Sequence, residues 1–415
     1  MEVDLHDLAR RMTAAALAAV DPERLARDEL LRRGERFGAA LAIGKAATPL
    51  ARGAREALET GARRLLIRPH NTLGLLDPGW EQKTGGHPLP DRQSVAAGER
   101  LERWLAEIPP RPLLALISGG ASACVEVPAP GLTLEDLIAA QRALLASGLP
   151  IHQVNAVRKH LSRLKGGGAL RATGGRLPRI LVLLLSDVPG DDPAAVASGP
   201  FAADSTTYAE ALAAVEDLPV PEAVRRHLET GARGEVPETV RENPSEVETV
   251  LLGSVRTAVA AAVAEVRRQG LQAVDGALEG EAAQAARDLV ARGRTLGAGT
   301  ALVLGGETTV TLRGETGRGG RNQELALAAA RELAGGSGEL VFTLATDGED
   351  GPTRSAGGTV DGATWEAVRR AGVDPQAALA RHDSRTALAA VPGALLETGP
   401  TGTNVGDLAV YLRLG

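Results

Sequence analysis

Cysteine and lysine are both scarce in this sequence of 415 residues. Its one cysteine, Cys124, excludes an intramolecular disulfide and a zinc site built from several thiolates. Of the 46 basic residues only four are lysine and the other 42 are arginine; the lysines are Lys45, Lys83, Lys159 and Lys165. Because lysine carries a compact ammonium on a flexible stem, a lysine kept in such a chain marks a position that needs this group, unless it was retained by chance.

A surplus of positive charge and long apolar segments are also absent. The net charge of −6 argues against a nucleic-acid partner, since phosphate binding needs clustered Lys and Arg. No uninterrupted apolar stretch reaches the ~20 residues that a membrane helix requires. The first residues, MEVDLHDLARR, do not follow the basic and then apolar order of a signal peptide. The sequence therefore predicts a cytoplasmic protein without a membrane partner. Its composition fits a thermophilic source, although a GC-rich genome explains most of the bias.

Short apolar segments that end in Gly, Asp, Pro or Ser alternate with helical stretches from residue 37 onward. The segments lack the polar alternation of one-sided sheets, which predicts strands buried on both faces of a mainly parallel sheet. The predicted strands are 38–44, 64–68, 113–118, 180–186, 249–253, 300–304 and 340–345. The predicted amphipathic helices are 92–107, 133–147, 255–269 and 321–334, and two more are predicted within residues 3–32.

A segment rich in proline and charge, residues 216–247, interrupts this pattern and predicts two domains. The first, residues 1–240, is predicted as a Rossmann-like α/β domain with three layers and a parallel sheet. The second, residues 241–415, is predicted as a smaller α/β domain. Its segment 306–314 (GETTVTLRG) alternates Thr with apolar residues, which predicts a strand with antiparallel pairing and hence a mixed sheet.

Candidate functional residues follow three predicted strands of the first domain, where open α/β sheets bind their ligands. Gly44-Lys45-Ala46 brings an ammonium to the start of a helix. Residues 118–123 (SGGASA) suit an anion through their backbone amides, although a tight turn explains the glycines alone. Residues 186–193 (SDVPGDDP) hold three carboxylates, which suits Mg²⁺. The alternative there is a helix cap at Asp191 or Asp192.

Two segments of the second domain have the same character. Residues 317–324 (GRGGRNQE) place arginine and amide side chains at a helix start, as expected for binding an anionic group. Residues 345–351 (ATDGEDG) again put carboxylates after a strand. Carboxylates, glycine loops and separated cations, without a Ser-His-Asp pattern, indicate phosphoryl transfer by a kinase or a phosphate-ester enzyme. Neither a Walker A loop nor a G-x-G-x-x-G fingerprint is complete.

Taken as a set, these segments resemble the glycerate 2-kinases that carry the MOFRL domain, a family also named as hydroxypyruvate reductases. The most specific motifs are SDVPGDDPAAVASGP (186–200) and GRGGRNQE (317–324). The other matching motifs are AIGKAA (42–47), GGHPLPDRQS (85–94), SGGASA (118–123), KHLSRLKGGG (159–168), GGETTVTL (305–312), ATDGEDG (345–351) and TGTNVGDL (401–408). The resemblance implies phosphorylation of D-glycerate at its 2-hydroxyl by ATP with Mg²⁺ or another divalent cation. It also implies an active site in the cleft between two α/β domains.

Carried over by position, the resemblance implies Lys45 and Arg321 as catalytic cations, with Asp187 orienting the 2-hydroxyl or binding Mg²⁺. Asp191 is a second candidate for this carboxylate and Asp347 an alternative for either role, so both are expected as metal ligands. The residues expected to bind substrate or nucleotide are Ser118, Gly119, Gly120, Ser122, Asn322, Gln323, Lys165 and His87. For His87 and His160 a purely structural role is the favoured alternative, and Cys124 is interpreted as a small core residue.

Two other functions stay open beside the kinase. The missing dinucleotide fingerprint disfavours an NAD(P)H-dependent hydroxypyruvate reductase, and retention of Lys45, Asp187 and Arg321 disfavours a non-catalytic sugar-acid sensor. Two positions depart from the family pattern: Gly406 replaces Asn in TNVND, and TRSA (353–356) replaces Thr-Asp-Ala-Ala. The sequence leaves open whether the protein is a homodimer.

Overall fold

The computed structural model describes residues 4–72, 74, 77–312 and 316–414. It divides into two compact units. We call residues 22–252 the parallel-sheet unit, and residues 1–21 together with 253–415 the mixed-sheet unit. The predicted domain limits of 1–240 and 241–415 stay a prediction.

The parallel-sheet unit is built on one six-stranded sheet. Its strands are β1 (Phe37–Ile43), β2 (Leu58–Pro69), β3 (Glu81–Gly85), β4 (Leu113–Ser118), β5 (Ile180–Leu185) and β6 (Val247–Gly253). Their order is β3-β2-β1-β4-β5-β6, and the pairs from β3 to β5 are parallel. This is the doubly wound, Rossmann-like order, in which the direction of winding reverses between β1 and β4. The predicted fold class of this part is confirmed.

Helices connect these strands. After α1 (Leu5–Ala19) of the other unit, they are α2 (Pro22–Arg33), α3 (Ala47–Gly53), α4 (Arg92–Glu107), α5 (Ala121–Cys124), α6 (Leu134–Ala146), α7 (Ile151–His160), α8 (Gly168–Ala172), α9 (Tyr208–Ala214) and α10 (Glu222–Ala232). Helix α4 shows why the sequence forms such an element. Asp91 and Ser94 cap its first turn reciprocally, and Leu101 and Trp104 lie on its buried face. These apolar residues join the buried strands β4 and β5 in one core.

The mixed-sheet unit is built on a second six-stranded sheet. Its strands are β7 (Gln272–Leu278), β8 (Thr300–Gly306), β9 (Glu339–Ala345), β10 (Gly357–Asp361), β11 (Leu395–Leu396) and β12 (Asp407–Arg413), in the order β11-β10-β9-β12-β8-β7. Only β7 and β8 pair in parallel, and the other pairs are antiparallel. The sheet is therefore mixed, as predicted. Helix α1 packs here against α11 (Val255–Arg268). The remaining helices are α12 (Ala282–Thr295), α13 (Arg321–Leu333), α14 (Thr364–Arg370), α15 (Pro375–Ala380) and α16 (Ser384–Ala389).

The predicted strand at 306–314 is wrong. Beyond the end of β8 the described residues 307–312 form a loop with one isolated bridge, at Thr309, and residues 313–314 lie outside the described part of the chain. The Thr309 and Thr311 hydroxyls both face the Glu281 carboxylate, so the alternating threonines serve a side-chain network rather than a strand. The antiparallel pairing comes instead from β12, which lies between β8 and β9.

Among the residues that the structure describes, no helix is both long enough and apolar enough to span a membrane.

Candidate active site

Lys45 and the glycine-rich turn leave the parallel sheet side by side. Ile43 of β1 is in register with Ile117 of β4, so both strands end at the same level. The amide of Lys45 donates to the carbonyl of Gly119 at 2.9 Å, and the amide of Ala46 donates to Ser118 Oγ at 3.0 Å. Ligand crevices of open α/β sheets lie at this reversal of winding. The structure thus brings together two segments that the sequence singled out separately.

Two glycines allow this close approach. A Cβ on Gly44, whose φ is +114°, would lie 2.5 Å from the carbonyl oxygen of Ser118. A Cβ on Gly120, whose φ is +79°, would lie 2.9 Å from Cγ of Lys45 and 3.5 Å from the ring of His87. The half-buried Lys45 stem therefore lies against the face of the turn, with the exposed His87 beside it. Only glycine fits at both positions without displacing a neighbour.

Ser122 extends this region to a strained turn that sequence reasoning did not assign. Its Oγ lies 2.8 Å from Oγ of Ser198. Ala197 and Ser198 have φ of +55° and +60°, a left-handed conformation that is rare for residues with a side chain. The buried Ser198 hydroxyl also lies 3.5 Å from Oδ1 of Asn155. Strain of this kind concentrates at functional sites, so Ser198, inside the motif 186–200, is an added candidate.

The acidic loop after β5 contains one structural aspartate and two candidates. Asp192 Oδ1 accepts a hydrogen bond from the amide of Ala194 at 2.9 Å, so Asp192 caps a turn. Asp187, directly beyond β5, and Asp191, with φ of +57°, are half-buried. The alternative of a cap therefore accounts for Asp192, while Asp187 and Asp191 stay candidates.

Lys165 is buried, whereas Lys45 is half-buried. Lys165 forms an ion pair with Glu126, and both side chains are 5% exposed. Burial lowers the pKa of Lys165, while the Glu126 carboxylate opposes this effect. Lys159 forms a similar buried pair with Asp204 at 3.0 Å. Lys165 remains a binding candidate because its ion pair with Glu126 borders a small cavity. Lys159 is interpreted as a structural residue.

His160 and Cys124, which the sequence analysis interpreted as structural residues, are both buried. His160 is buried, with Nδ1 2.7 Å from the carbonyl of Ala156 and Nε2 3.0 Å from the Glu238 carboxylate. Cys124 is fully buried in the core, and burial raises the pKa of its thiol to about 12. A thiol with so high a pKa is a poor nucleophile.

In the mixed-sheet unit, two carboxylates hold Arg321 at the start of α13. Its Nε donates to Asp407 Oδ2 at 2.5 Å, and its Nη1 donates to Glu307. Burial raises the pKa of Asp407 to about 6, and the guanidinium opposes this rise. For Arg321 burial acts against the charge, but the carboxylates of Asp407, Glu307 and Asp350 together outweigh it and raise the pKa of the guanidinium. Arg321 is therefore a fixed cation. Sequence reasoning missed Asp407 and Glu307, although both lie in or beside quoted family motifs.

Asn322 and Gln323 bind a buried carboxylate of the protein itself. Asp350 accepts hydrogen bonds from the amides of Asn322 at 3.0 Å and Gln323 at 2.8 Å, and from Nε2 of Gln323 at 2.9 Å. Thr353 adds a bond to the same Nε2 at 2.8 Å. The helix start thus already holds an anion, Asp350, which matches the chemistry of the position. These contacts favour a positioning role for Asn322 and Gln323.

Asp347 follows β9 in a loop that is tied to the segment before β12. The Thr346 hydroxyl donates to the carbonyl of Gly406 at 2.6 Å and accepts from the amide of Val405 at 3.0 Å. Gly406 has φ of +96°, a conformation that glycine adopts freely and asparagine tolerates better than most residues. The departure from Asn at this position therefore keeps the backbone shape. Asp347 itself is half-buried.

A complete metal cage is not present in the described part of the chain. No group of three or more His, Cys, Asp or Glu side chains there could hold a metal ion. Mg²⁺ usually takes one or two carboxylates and fills its remaining positions with water and substrate phosphate. Asp191 in the parallel-sheet unit and Asp347 in the mixed-sheet unit are each a half-buried carboxylate of the kind that Mg²⁺ binds.

Two domain families match the chain. The domain of unknown function DUF4147 matches residues 8–229, and the MOFRL family matches residues 300–407. The chain is 37% identical to a glycerate 2-kinase of Pyrococcus horikoshii, covering 99% of this chain and 98% of that one. It is 36% identical to a putative hydroxypyruvate reductase of Agrobacterium vitis, covering 99% and 95%.

A solved structure supports the same relationship. The crystal structure of a glycerate kinase from Thermotoga maritima superposes with a TM-score of 0.85 at 36% identity, covering 99% of both chains. Full-length similarity at this identity establishes family membership and the fold. The chain is therefore a kinase enzyme that belongs to the glycerate kinase family with DUF4147 and MOFRL domains.

Proposed function

We propose that this enzyme transfers the γ-phosphoryl group of ATP to the 2-hydroxyl of D-glycerate, giving 2-phosphoglycerate and ADP. The observation that carries the proposal is the half-buried Lys45 lying against the Gly119-Gly120 turn where the winding of the parallel sheet reverses. Phosphoryl transfer depends on positioned charge more than on covalent groups. Lys45 supplies an ammonium, and the turn offers backbone amides. The relatives named as glycerate 2-kinases support the choice of substrate.

Three residues have distinct roles in this proposal. Lys45 neutralises either phosphate oxygens or the glycerate carboxylate. Arg321, fixed by Asp407, stabilises charge on the transferring group as an arginine finger does. Asp187 orients the 2-hydroxyl and receives its proton, or else binds Mg²⁺. The proposal requires residues of both units to act on one substrate, as the family resemblance implies.

The other predicted site residues have supporting roles. Gly119, Gly120 and Ser122 offer amides and a hydroxyl to an anion, and His87 borders the same turn. Ser118 supports the turn through the hydrogen bond that its Oγ accepts from the amide of Ala46. Asn322 and Gln323 act through Asp350, which holds the start of α13 and hence Arg321.

Mg²⁺ is proposed as the divalent cation. Asp191 and Asp347 would hold it, with Asp187 as the alternative ligand. When bound, the ion would neutralise phosphate charge as the oxygens accumulate it. A cytoplasmic location stays a prediction.

Phosphorus NMR of the reaction of ATP, Mg²⁺ and D-glycerate tests the function directly. We expect the signal of 2-phosphoglycerate, which disappears when Mg²⁺ is omitted. A signal of 3-phosphoglycerate would contradict the regiochemistry, and no glycerate-dependent signal would contradict the function. Oxidation of NADH by hydroxypyruvate, followed by absorbance, would instead favour the reductase.

A further inference from the structure

A small cavity in the parallel-sheet unit lies beside the glycine-rich turn. Leucines such as Leu144 form much of its apolar wall, and its polar wall consists of Ser122, Glu126, Gln141, Arg158 and Lys165. The volume that is open to the centre of a water-sized sphere inside the cavity is about 20 Å³. That space holds one or two water molecules, which suits the head group of a small acid and excludes a nucleotide.

The charges around this cavity leave one cation in excess. Lys165 is paired with Glu126, and the amide of Val127 donates to the same carboxylate at 3.0 Å. Within the described residues Arg158 makes no hydrogen bond or ion pair. The Glu126 carboxylate acts on its guanidinium only by longer-range electrostatic attraction. The Arg158 side chain is half-buried, and burial lowers the pKa of its guanidinium. A half-buried guanidinium with no protein acceptor can donate its N–H groups to an anion in the cavity.

We propose that this cavity binds the carboxylate of the acid substrate, with the Arg158 guanidinium and the Ser122 hydroxyl as donors. The proposal rests on the proposed function and names the subsite for one end of its substrate. A guanidinium can donate two parallel hydrogen bonds to one carboxylate. Leucines around the site keep the local dielectric low, which strengthens such a pair.

The position of Ser122 links the cavity to the chemistry. Ser122 lies two residues beyond Gly120, the residue against which the Lys45 stem packs. An acid held by its carboxylate at Ser122 would therefore be anchored on the same turn that is proposed to bind phosphate. This arrangement assigns the glycerate carboxylate to Arg158 and leaves Lys45 for the phosphate oxygens.

Steady-state kinetics of Arg158→Met test the assignment, with D-glycerate and ATP varied separately. We expect the KM for D-glycerate to rise roughly 10- to 100-fold, the range for losing hydrogen bonds to a charged group, with the KM for ATP unchanged. Arg158→Lys should recover part of the loss. Arg142→Met, an exposed arginine on α6, is the matched control and should behave as wild type. A rise confined to the KM for ATP would overturn the proposal.

Calorimetric titration provides a readout that does not need turnover. We expect D-glycerate to bind wild type but not Arg158→Met in the absence of nucleotide, while binding of inorganic phosphate is the same in both. Loss of phosphate binding instead would assign the cavity to a phosphate group and refute the carboxylate subsite. If Arg158→Met fails to fold, Ser122→Ala replaces it, with an expected KM rise of roughly 3- to 10-fold for D-glycerate.

The two proposals fail separately in these experiments. If wild type does not phosphorylate D-glycerate, the proposed function fails, yet binding of D-glycerate or D-lactate that depends on Arg158 would still support the subsite. If wild type phosphorylates D-glycerate and Arg158→Met leaves its KM and its affinity unchanged, the subsite is wrong and the function stands.

Discussion

Arg321 at the first turn of α13 is bound to Asp407 at the first residue of β12. Nε of the guanidinium lies 2.5 Å from Oδ2, and Nη2 lies 3.3 Å from Oδ1. The Asp407 side chain is 2% exposed, whereas the Arg321 side chain is 34% exposed. The carboxylate therefore holds the guanidinium from inside the mixed-sheet unit and sets its direction, while part of the cation still faces solvent.

Asp407→Asn should lower kcat by roughly 100-fold, because a small misplacement of a charged group costs about that factor. We expect a smaller change in KM, since the residue positions Arg321 and does not touch substrate. Asp407→Glu should restore part of the activity. Glu307→Gln, which changes the more exposed partner of the same guanidinium, should have a weaker effect. The measurement is kcat and KM together with the thermal midpoint; an unchanged kcat would show that the pair is only structural.

Lys45→Arg should reduce turnover by roughly 100-fold although it keeps the charge. The Lys45 stem packs against Gly120, and a planar guanidinium is wider than an ammonium and cannot take the same place. Lys83→Arg is the matched control, because Lys83 is 42% exposed and lies 3.6 Å from Glu81 on strand β3. Initial rates at saturating substrates decide the outcome, and near-normal rates for Lys45→Arg would refute the need for an ammonium.

Gly120→Ala should abolish most activity at a modest loss of stability. The new Cβ would lie 2.9 Å from Cγ of Lys45, so the stem must move. Gly131→Ala is the control, because Gly131 has a similar φ of +85° and no atom within 4 Å of its added Cβ. Both variants pay the conformational cost of about 1 kcal/mol for a side chain at positive φ. Urea unfolding should therefore give similar stabilities for the two variants, whereas initial rates should give very different activities. Equal activities would contradict the contact with Lys45.

Glu248→Gln should change how stability depends on pH. Hydrogen bonds from Arg33 and Arg179, each with an N–O distance of 2.6 Å, lower the pKa of Glu248 to about 2 from its usual 4.5. A depressed carboxyl pKa contributes stability above pH 4.5, and this contribution is lost as the pH falls from 4.5 towards 2. Because the side chain is 41% exposed, screening limits the effect to roughly 1 kcal/mol.

Urea unfolding of wild type and Glu248→Gln at pH 7, 4.5 and 3 measures this dependence. The difference in unfolding free energy should be present at the two higher values and shrink at the lowest. Glu242→Gln, an exposed glutamate of the same region, should match wild type throughout. A difference that stays constant or grows in acid would contradict the role of the two arginines.

Local patterns predicted many of the buried elements, although not the buried strand β12. Strand β4 occupies residues 113–118 and helix α4 residues 92–107, as the sequence indicated. A continuous apolar segment and a capped amphipathic helix are signals that need no distant partner. Strands β3, β7, β10, β11 and β12 were missed. The half-exposed or exposed residues of β3 and β7 become strands only by pairing with β2 and β8.

In the candidate site, too, local motifs predicted single residues but not their distant partners. Motifs identified Lys45, Asp187 and Arg321 one by one, since each follows a strand or begins a helix. They gave no role to Asp407, which lies 86 residues from Arg321 in the chain, nor to Arg158, whose significance depends on a cavity. For Asn322 and Gln323 the sequence indicated an anion at the helix start, but it did not identify the anion as Asp350.

The sequence by itself determined the α/β class, the main strands and helices, and the family, because these depend on periodicity and on motifs of neighbouring residues. Only the tertiary structure decided the strand order that brings Lys45 beside the Gly119-Gly120 turn, and the carboxylates that hold Arg321. The scarcity of lysine singled out four positions, but it did not indicate which of them needs an ammonium. What surrounds each ammonium depends on residues far apart in the chain, and only folding brings such residues within hydrogen-bond distance.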